Sequence, residues 1–221
     1  HDHLTTLRRK CYIRRTYNES RAIEVLPPRG SSGATDIPLL GSVAAGYPLS
    51  RLHKQLKTAT RLVRAMPNTP STIGEGVTAM SMMPGLSSED QDRARCLFES
   101  VGQVVVVEER LMDAVTGLSG SGPAYVFAMI EALADGGVLM GLAQITAHVL
   151  AAQTVAGAAR MVLEQGTHPA VLKDRVASPG GTTITGLYRL EQGRLRATLM
   201  SAVTAAAQRS QELGKEESHH L

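Results

Sequence analysis

The stretch QITAHVLAAQTVAGAARMVLEQ, residues 144–165, decides the fold of the second half of the chain. Its apolar residues recur at alternating steps of four and three, the spacing that places side chains on one face of an α-helix. These residues, called here the alanine stripe, are Ile145, Val149, Ala152, Ala156, Ala159 and Leu163. Because the stripe is mostly alanine, another helix can approach closely. An interface between helices or subunits and an ordinary internal core both stay open.

The sequence around this stretch, from about residue 110 onward, also predicts helices. Residues 125–140 have apolar side chains near helical spacing, and the Gly136-Gly137 pair allows either a break or a close helix crossing. Gly166 ends the central helix, and Pro169 suits the first turn of a short helix. A final helix is predicted after Gly193, and a polar tail after residue 214.

Residues 38–109 alternate short apolar runs with helical sequence, which is typical of an α/β sheet. Helices are predicted at residues 49–56 and from about residue 88, where the acidic first turn suits the helix dipole. Strands are predicted at residues 38–45, 61–66, 77–82 and 104–107.

Composition excludes several classes of protein. Of 221 residues, 43% are hydrophobic and 19% charged, so the chain can bury a core, and its apolar runs are too short to span a membrane. The net charge of +3 lies within residues 1–37, a leader that shows no persistent period and is expected to be loosely ordered. This weak basic excess and the absence of Trp disfavour nucleic-acid binding. Two cysteines and no secretory signal favour the cytoplasm.

The segment ASPGGTTI, residues 177–184, carries the clearest chemical signal. Two glycines leave backbone N–H groups unshielded, two threonines add hydroxyl groups, and the positive end of the following helix faces the loop. Together these features favour a site for a small anion such as a carboxylate or phosphate. An ordinary Ser/Thr cap after a glycine turn is the alternative.

Weaker candidates lie elsewhere. SGSGP at residues 119–123 lets the backbone approach a ligand or another chain, although a tight turn between helices explains it equally well. Met66-Pro67-Asn68-Thr69-Pro70 and Ala44-Ala45-Gly46 follow predicted strands, where α/β sheets bind ligands. The Glu108-Glu109 pair is most simply a solvated cap. The histidines lack ligand spacing, so no metal site is predicted.

These motifs together resemble the pyrroline-5-carboxylate reductase family. The resemblance rests on residues 66–76, on DAVTGLSGSGPAY at 113–125, on EALADGG at 131–137, on His168-Pro169, on LKD at 172–174 and on residues 178–183. It covers residues 38–214, and the stretches at residues 190–193 and 200–203 look closest to cytosolic animal-type members.

The resemblance implies reduction of 1-pyrroline-5-carboxylate to L-proline by NADPH or NADH, the last step of proline biosynthesis. It implies an α/β plus all-α fold: a Rossmann-like lobe at residues 38–109, then an all-helical dimerisation and substrate domain at 110–214. Residues 1–37 stay unassigned and 215–221 form the tail. The helical domains would interlock into a homodimer or a larger ring. Neither nucleic acid nor a membrane is an expected partner.

The resemblance also assigns site residues. Gly181, Thr182 and Thr183 would grip the substrate carboxylate, the Thr183 hydroxyl would assist protonation of the ring nitrogen, and Glu109 matches a position near the substrate. The residues that would face the cofactor are Val43, Ala44, Ala45 and Arg175.

One departure from the family pattern is large. The glycine fingerprint that holds the pyrophosphate is absent from residues 1–37, so the N-terminal dinucleotide-binding half is expected to be largely missing or replaced. This departure favours an alternative function, in which the chain is a catalytically inactive dimerisation or assembly module.

Overall fold

A computed structural model describes residues 13–15, 23–25, 46–55 and 62–216. The chain divides into two compact units. One comprises the described residues up to Pro123 together with those from Ala202 onward, and the other spans Ala124–Ser201. No helix in the described ranges is both long enough and apolar enough to cross a membrane.

The N-terminal leader contains two short strands, β1 (Ile13–Arg15) and β2 (Ile23–Val25), that pair antiparallel with Ile13 opposite Val25. Neither strand was predictable from the sequence, because a strand of three residues is too short to leave a visible alternation.

The predicted α/β segment forms one helix followed by a small sheet. The helix α1 (Leu49–Gln55) has nearly the predicted bounds, whereas the expected strand at residues 38–45 lies outside the described residues. A 3-10 helix (Thr69–Ile73) separates the first two strands of the sheet. The remaining elements are β3 (Val63–Met66), β4 (Gly76–Met82), α2 (Ser88–Glu99) and β5 (Gly102–Val106).

The sheet has the order β3-β4-β5 and mixed direction. Strands β4 and β5 are parallel and are joined through α2, as the alternation of strand and helix predicts. Strands β3 and β4 are antiparallel, with Met66 opposite Ala79. Their connection is shorter than the roughly dozen residues that a parallel crossover needs, so the chain reverses direction there.

Helix α2 begins as its sequence indicates. The Ser87 hydroxyl accepts a hydrogen bond from the Asp90 N–H at 3.1 Å, and Glu89 and Asp90 lie in the first turn, where the helix dipole favours negative charge. The core of this unit is centred on Met80 and Met112, both with fully buried side chains.

Three short helical segments of different type follow the sheet. After a 3-10 turn (Glu109–Leu111) come the short helix α3 (Met112–Val115) and a π-helical turn (Thr116–Gly120). The last helix of the described chain, α8 (Leu195–Glu216), packs closely on this turn. A Cβ atom placed on Gly117 would collide with the Val203 carbonyl and lie 2.9 Å from the Ala207 nitrogen.

Substituting Gly117 with alanine should therefore lower the free energy of unfolding by about 2 kcal/mol, because backbone atoms cannot move aside for the new methyl group. Denaturant unfolding measures the effect. The matched control is Gly136→Ala, at a helical glycine with nothing within 4 Å of the added Cβ, where stability should stay equal or rise. Equal losses in both variants would contradict the assigned contact.

The second unit is helical, as predicted. It contains α4 (Gly122–Leu139) from Ala124 onward, α5 (Gln144–Gln165), α6 (Pro169–Val176), α7 (Thr182–Gln192) and the start of α8. Ala134 of α4 packs against Ala147 and Ala151 of α5. A Cβ on Gly137 would lie 3.3 Å from the Ala147 Cβ, so Gly137 serves a close crossing, and α4 continues through both glycines without a break.

The alanine stripe does not form the core of this unit. Ala147 and Ala151, which do, lie on another face of α5. All six stripe residues are exposed in the single chain, Ile145 with 81% of its surface accessible and Leu163 with 66%. The internal-core interpretation of the stripe is therefore wrong, and the interface interpretation remains.

Candidate active site

The loop before α7 folds into a tight turn. The Gly181 N–H donates to the Ser178 carbonyl at 3.1 Å, and Gly180 between them has a positive φ of 64°. Proline at the second position and glycine at the third are the residues that a type II turn requires. The turn ends at Gly181, whose extended backbone is the N-cap of α7.

The N-terminus of α7 lacks a side-chain cap. The amides of Thr182, Thr183 and Ile184 donate to no other described residue, and the first backbone bond of the helix runs from the Thr185 N–H to the Gly181 carbonyl at 3.3 Å. The ordinary Ser/Thr cap considered from the sequence is therefore wrong. Three N–H groups at the positive end of an 11-residue helix stay available to an anion.

Three side chains border these amides. The Thr183 side chain is half-buried and that of Thr182 is exposed. The Ser178 hydroxyl lies against Gly181, so that a Cβ at Gly181 would collide with it. Ser178 was not among the site residues predicted from the sequence. The signal was the SPGG turn itself, which brings its first and fourth residues together.

Glu109 lies in the other compact unit and is engaged at one oxygen. Its Oε1 accepts two hydrogen bonds, one from the Arg64 Nη1 at 2.7 Å and one from the Leu49 N–H at 3.0 Å. Its Oε2 is buried and has no hydrogen-bond partner among the described residues. Glu108, by contrast, forms an exposed pair with Arg110 at 2.6 Å. The predicted solvated position therefore holds for Glu108, although its side chain makes no capping hydrogen bond. It does not hold for Glu109, because the partners of Glu109 are distant in sequence.

Two weaker motifs meet in this unit. A Cβ on Gly120 would lie 2.8 Å from the Met66 Cε, so Gly120 in the SGSGP stretch makes room for the Met66 side chain at the end of β3. The Asn68 Oδ1 accepts the Val77 N–H at 3.0 Å and thereby closes that turn. Both motifs have a structural explanation, and neither gains a ligand from the geometry.

The cofactor residues are placed only in part. Val43, Ala44 and Ala45 lie outside the described residues. Arg175 is exposed in the last turn of α6 and forms no ion pair within the described part of the chain. No group of three or more His, Cys, Asp or Glu side chains that could hold a metal occurs in the ranges that the structure describes.

Comparison with known proteins decides the family. A family model described as pyrroline-5-carboxylate reductase dimerisation matches residues 109–213. The chain is 51% identical over 184 residues to the pyrroline-5-carboxylate reductase of a Synechocystis strain, and the match covers 83% of the chain and 68% of that protein. The chain belongs to the pyrroline-5-carboxylate reductase family.

Other members of the pyrroline-5-carboxylate reductase family are also similar to this chain in sequence. The Arabidopsis thaliana member is 54% identical over 177 residues, covering 80% of the chain and 64% of the plant protein. The chain thus spans about two thirds of the length of these curated relatives. The Macaca fascicularis member is less similar, at 47% identity over 80% of the chain and 65% of that protein, which runs against the expected preference for animal members.

A solved member of the family supports the fold. The crystal structure of Plasmodium falciparum pyrroline carboxylate reductase with NADP bound has 36% sequence identity and a TM-score of 0.72, covering 77% of this chain and 68% of that one. The expected fold class, an incomplete Rossmann-like lobe with a helical dimerisation domain, is confirmed.

Proposed function

We propose that the chain is a pyrroline-5-carboxylate reductase that reduces 1-pyrroline-5-carboxylate to L-proline with NADH or NADPH. The observation that carries this proposal is the uncapped N-terminus of α7 after the SPGG turn. A helix terminus with free N–H groups binds a carboxylate through hydrogen bonds and through its dipole. Family membership supplies the substrate that has such a carboxylate.

The substrate residues would act in the following way. The N-cap at Gly181 and the amides of Thr182 and Thr183 would hold the substrate carboxylate, which fixes the position of the ring. The Thr183 hydroxyl would accept a hydrogen bond from the protonated ring nitrogen. A protonated C=N bond accepts hydride at carbon more readily than a neutral one, so this hydrogen bond would favour the reactive form.

Glu109 is the second proposed substrate residue. Its carboxylate is oriented through one oxygen by Arg64 and by the Leu49 amide. The other oxygen is buried without a partner among the described residues, so it retains the capacity to accept a hydrogen bond. The support for a substrate contact is the family position that Glu109 matches, and Arg64 and the Leu49 amide hold the carboxylate in place there.

The nicotinamide cofactor, when bound, supplies the hydride. Of the residues that the resemblance assigns to it, the structure describes only Arg175, whose exposed guanidinium suits a phosphate. Val43, Ala44 and Ala45, the other residues assigned to the cofactor, lie outside the described residues.

The alternative function is an inactive assembly module, which would act through the alanine stripe. We propose that the stripe is buried in a homodimer, since α5 exposes six apolar residues on one face and the family model for dimerisation covers it. The dimer is common to both functions and larger rings are compatible with it. A cytoplasmic location is also proposed, supported by the exposed free thiol of Cys96.

Calorimetric titration separates the two functions. The purified chain is titrated with NADPH, and with L-proline both in the presence and in the absence of NADPH. A reductase should bind both ligands, with D-proline as the control that binds more weakly, and should oxidise NADPH when pyrroline-5-carboxylate is added. A folded dimer that binds neither ligand would contradict the reductase and establish the assembly module.

A further inference from the structure

The second half of α8 contacts the residues just before α1. The contact lies at two glycines, Gly214 on α8 and Gly46 before α1. A Cβ on Gly46 would collide with the Ser210 carbonyl and lie 2.8 Å from the Gly214 nitrogen. A Cβ on Gly214 would in turn collide with the Gly46 carbonyl. Gly46 also has a φ of 90°, which only glycine adopts without strain. The two backbones are therefore in direct contact, and neither position has room for a side chain.

The same stretch of α8 is bonded to the helix that follows Glu109. The Ser210 Oγ donates to the Asp113 Oδ1 at 2.7 Å, across 97 residues of sequence. Ser210 is only 2% exposed and Asp113 is half-buried, so the bond is partly shielded from water.

Glu109 is linked to both of these attachments through neighbouring residues. Its oriented oxygen accepts the Leu49 N–H, and Leu49 is buried three residues after Gly46. Its own backbone leads within four residues to Asp113. One of the two donors to the carboxylate, the Leu49 N–H, and the chain that carries Glu109 are therefore both close in sequence to residues that contact α8, while the second donor, Arg64, lies on β3.

We propose that Ser210 and Gly214 are positioning residues that set the place of the Glu109 carboxylate. This inference rests on the proposed function, in which Glu109 contacts the substrate. Helix α8 lies within the segment that matches a dimerisation model up to residue 213. It thus has a second role, since it also holds a substrate-binding carboxylate in register with α1.

The Ser210→Ala variant tests the proposal. Because a small misplacement of a substrate contact weakens binding, the KM for pyrroline-5-carboxylate should rise by about five- to tenfold while kcat changes less. Asp113→Asn keeps an oxygen that accepts from Ser210 and should preserve the KM. Asp113→Ala should match Ser210→Ala, and the double variant should be no worse than either. Gln211→Ala, at the exposed neighbouring position, is the matched control.

Amide hydrogen exchange of the peptide containing Leu49 gives a readout that does not depend on activity. Exchange should be faster in Ser210→Ala than in the wild type and unchanged in Gln211→Ala. An unchanged KM together with unchanged exchange would overturn the proposal, as would equal effects of Gln211→Ala. If the wild-type chain has no reductase activity, the proposed function fails, and exchange at Leu49 alone then decides whether α8 positions this region.

Discussion

Replacing Thr183 with valine should lower kcat/KM for pyrroline-5-carboxylate by about a hundredfold, the lower end of the contribution typical of a group that assists proton placement. Valine keeps the shape of threonine and the backbone N–H at the start of α7, so the grip on the carboxylate is retained. Only the hydroxyl proposed to hold the ring nitrogen is lost. Steady-state kinetics measures this loss, which should lie mainly in kcat.

Thr182→Val is the control for this experiment, since Thr182 is exposed and is proposed to act only through its amide. Its kcat/KM should stay within about twofold of the wild type, because backbone donors are unaffected by loss of a side-chain hydroxyl. Equal losses in the two variants would indicate damage to the helix start. Full activity of Thr183→Val would remove the hydroxyl from the mechanism.

Introducing glutamate at Ala156, in the middle of the alanine stripe, should weaken dimer association by at least about a hundredfold. A carboxylate taken out of water into an apolar interface costs several kcal/mol unless it finds a partner. Sedimentation velocity across a range of protein concentrations measures the shift from dimer to monomer.

The matched control is Gln153→Glu, which adds the same charge to α5 at an exposed polar position outside the stripe. This variant should remain dimeric at the concentrations where Ala156→Glu is monomeric. Dimerisation of both variants would show that the stripe is not the contact surface. The wild-type chain, if monomeric at micromolar concentration, would contradict the dimer itself.

Local signals predicted the helical half well. Helix α5 has the predicted bounds of Gln144–Gln165, because a long apolar periodicity ends at a glycine, and Gly166 adopts the left-handed cap with a φ of 59°. Periodicity states which residues share a face but not what covers that face. The stripe therefore stayed ambiguous until the structure placed Ala147 and Ala151 in the core instead.

Features that depend on distant residues were not predictable. The partners of Glu109 lie 45 and 60 residues away in sequence. The sequence therefore placed Glu109 in solvent together with its neighbour Glu108, although only Glu108 is exposed. The reversal between β3 and β4 followed from the length of a connection and not from the pattern of either strand. At α7, the sequence identified the loop correctly but left its cap undecided, because glycine and threonine are both acceptable N-caps.

The hydrogen bond between Ser210 and Asp113 also has a consequence for folding during synthesis. The helical unit, Ala124–Ser201, is continuous in sequence, and its contacts between α4 and α5 are local, so it can form as soon as its residues emerge. The sheet-containing unit closes only when Ser210 meets a residue made 97 positions earlier. The part of the chain that is translated first is therefore completed last, and until then its apolar surfaces are open to chaperones.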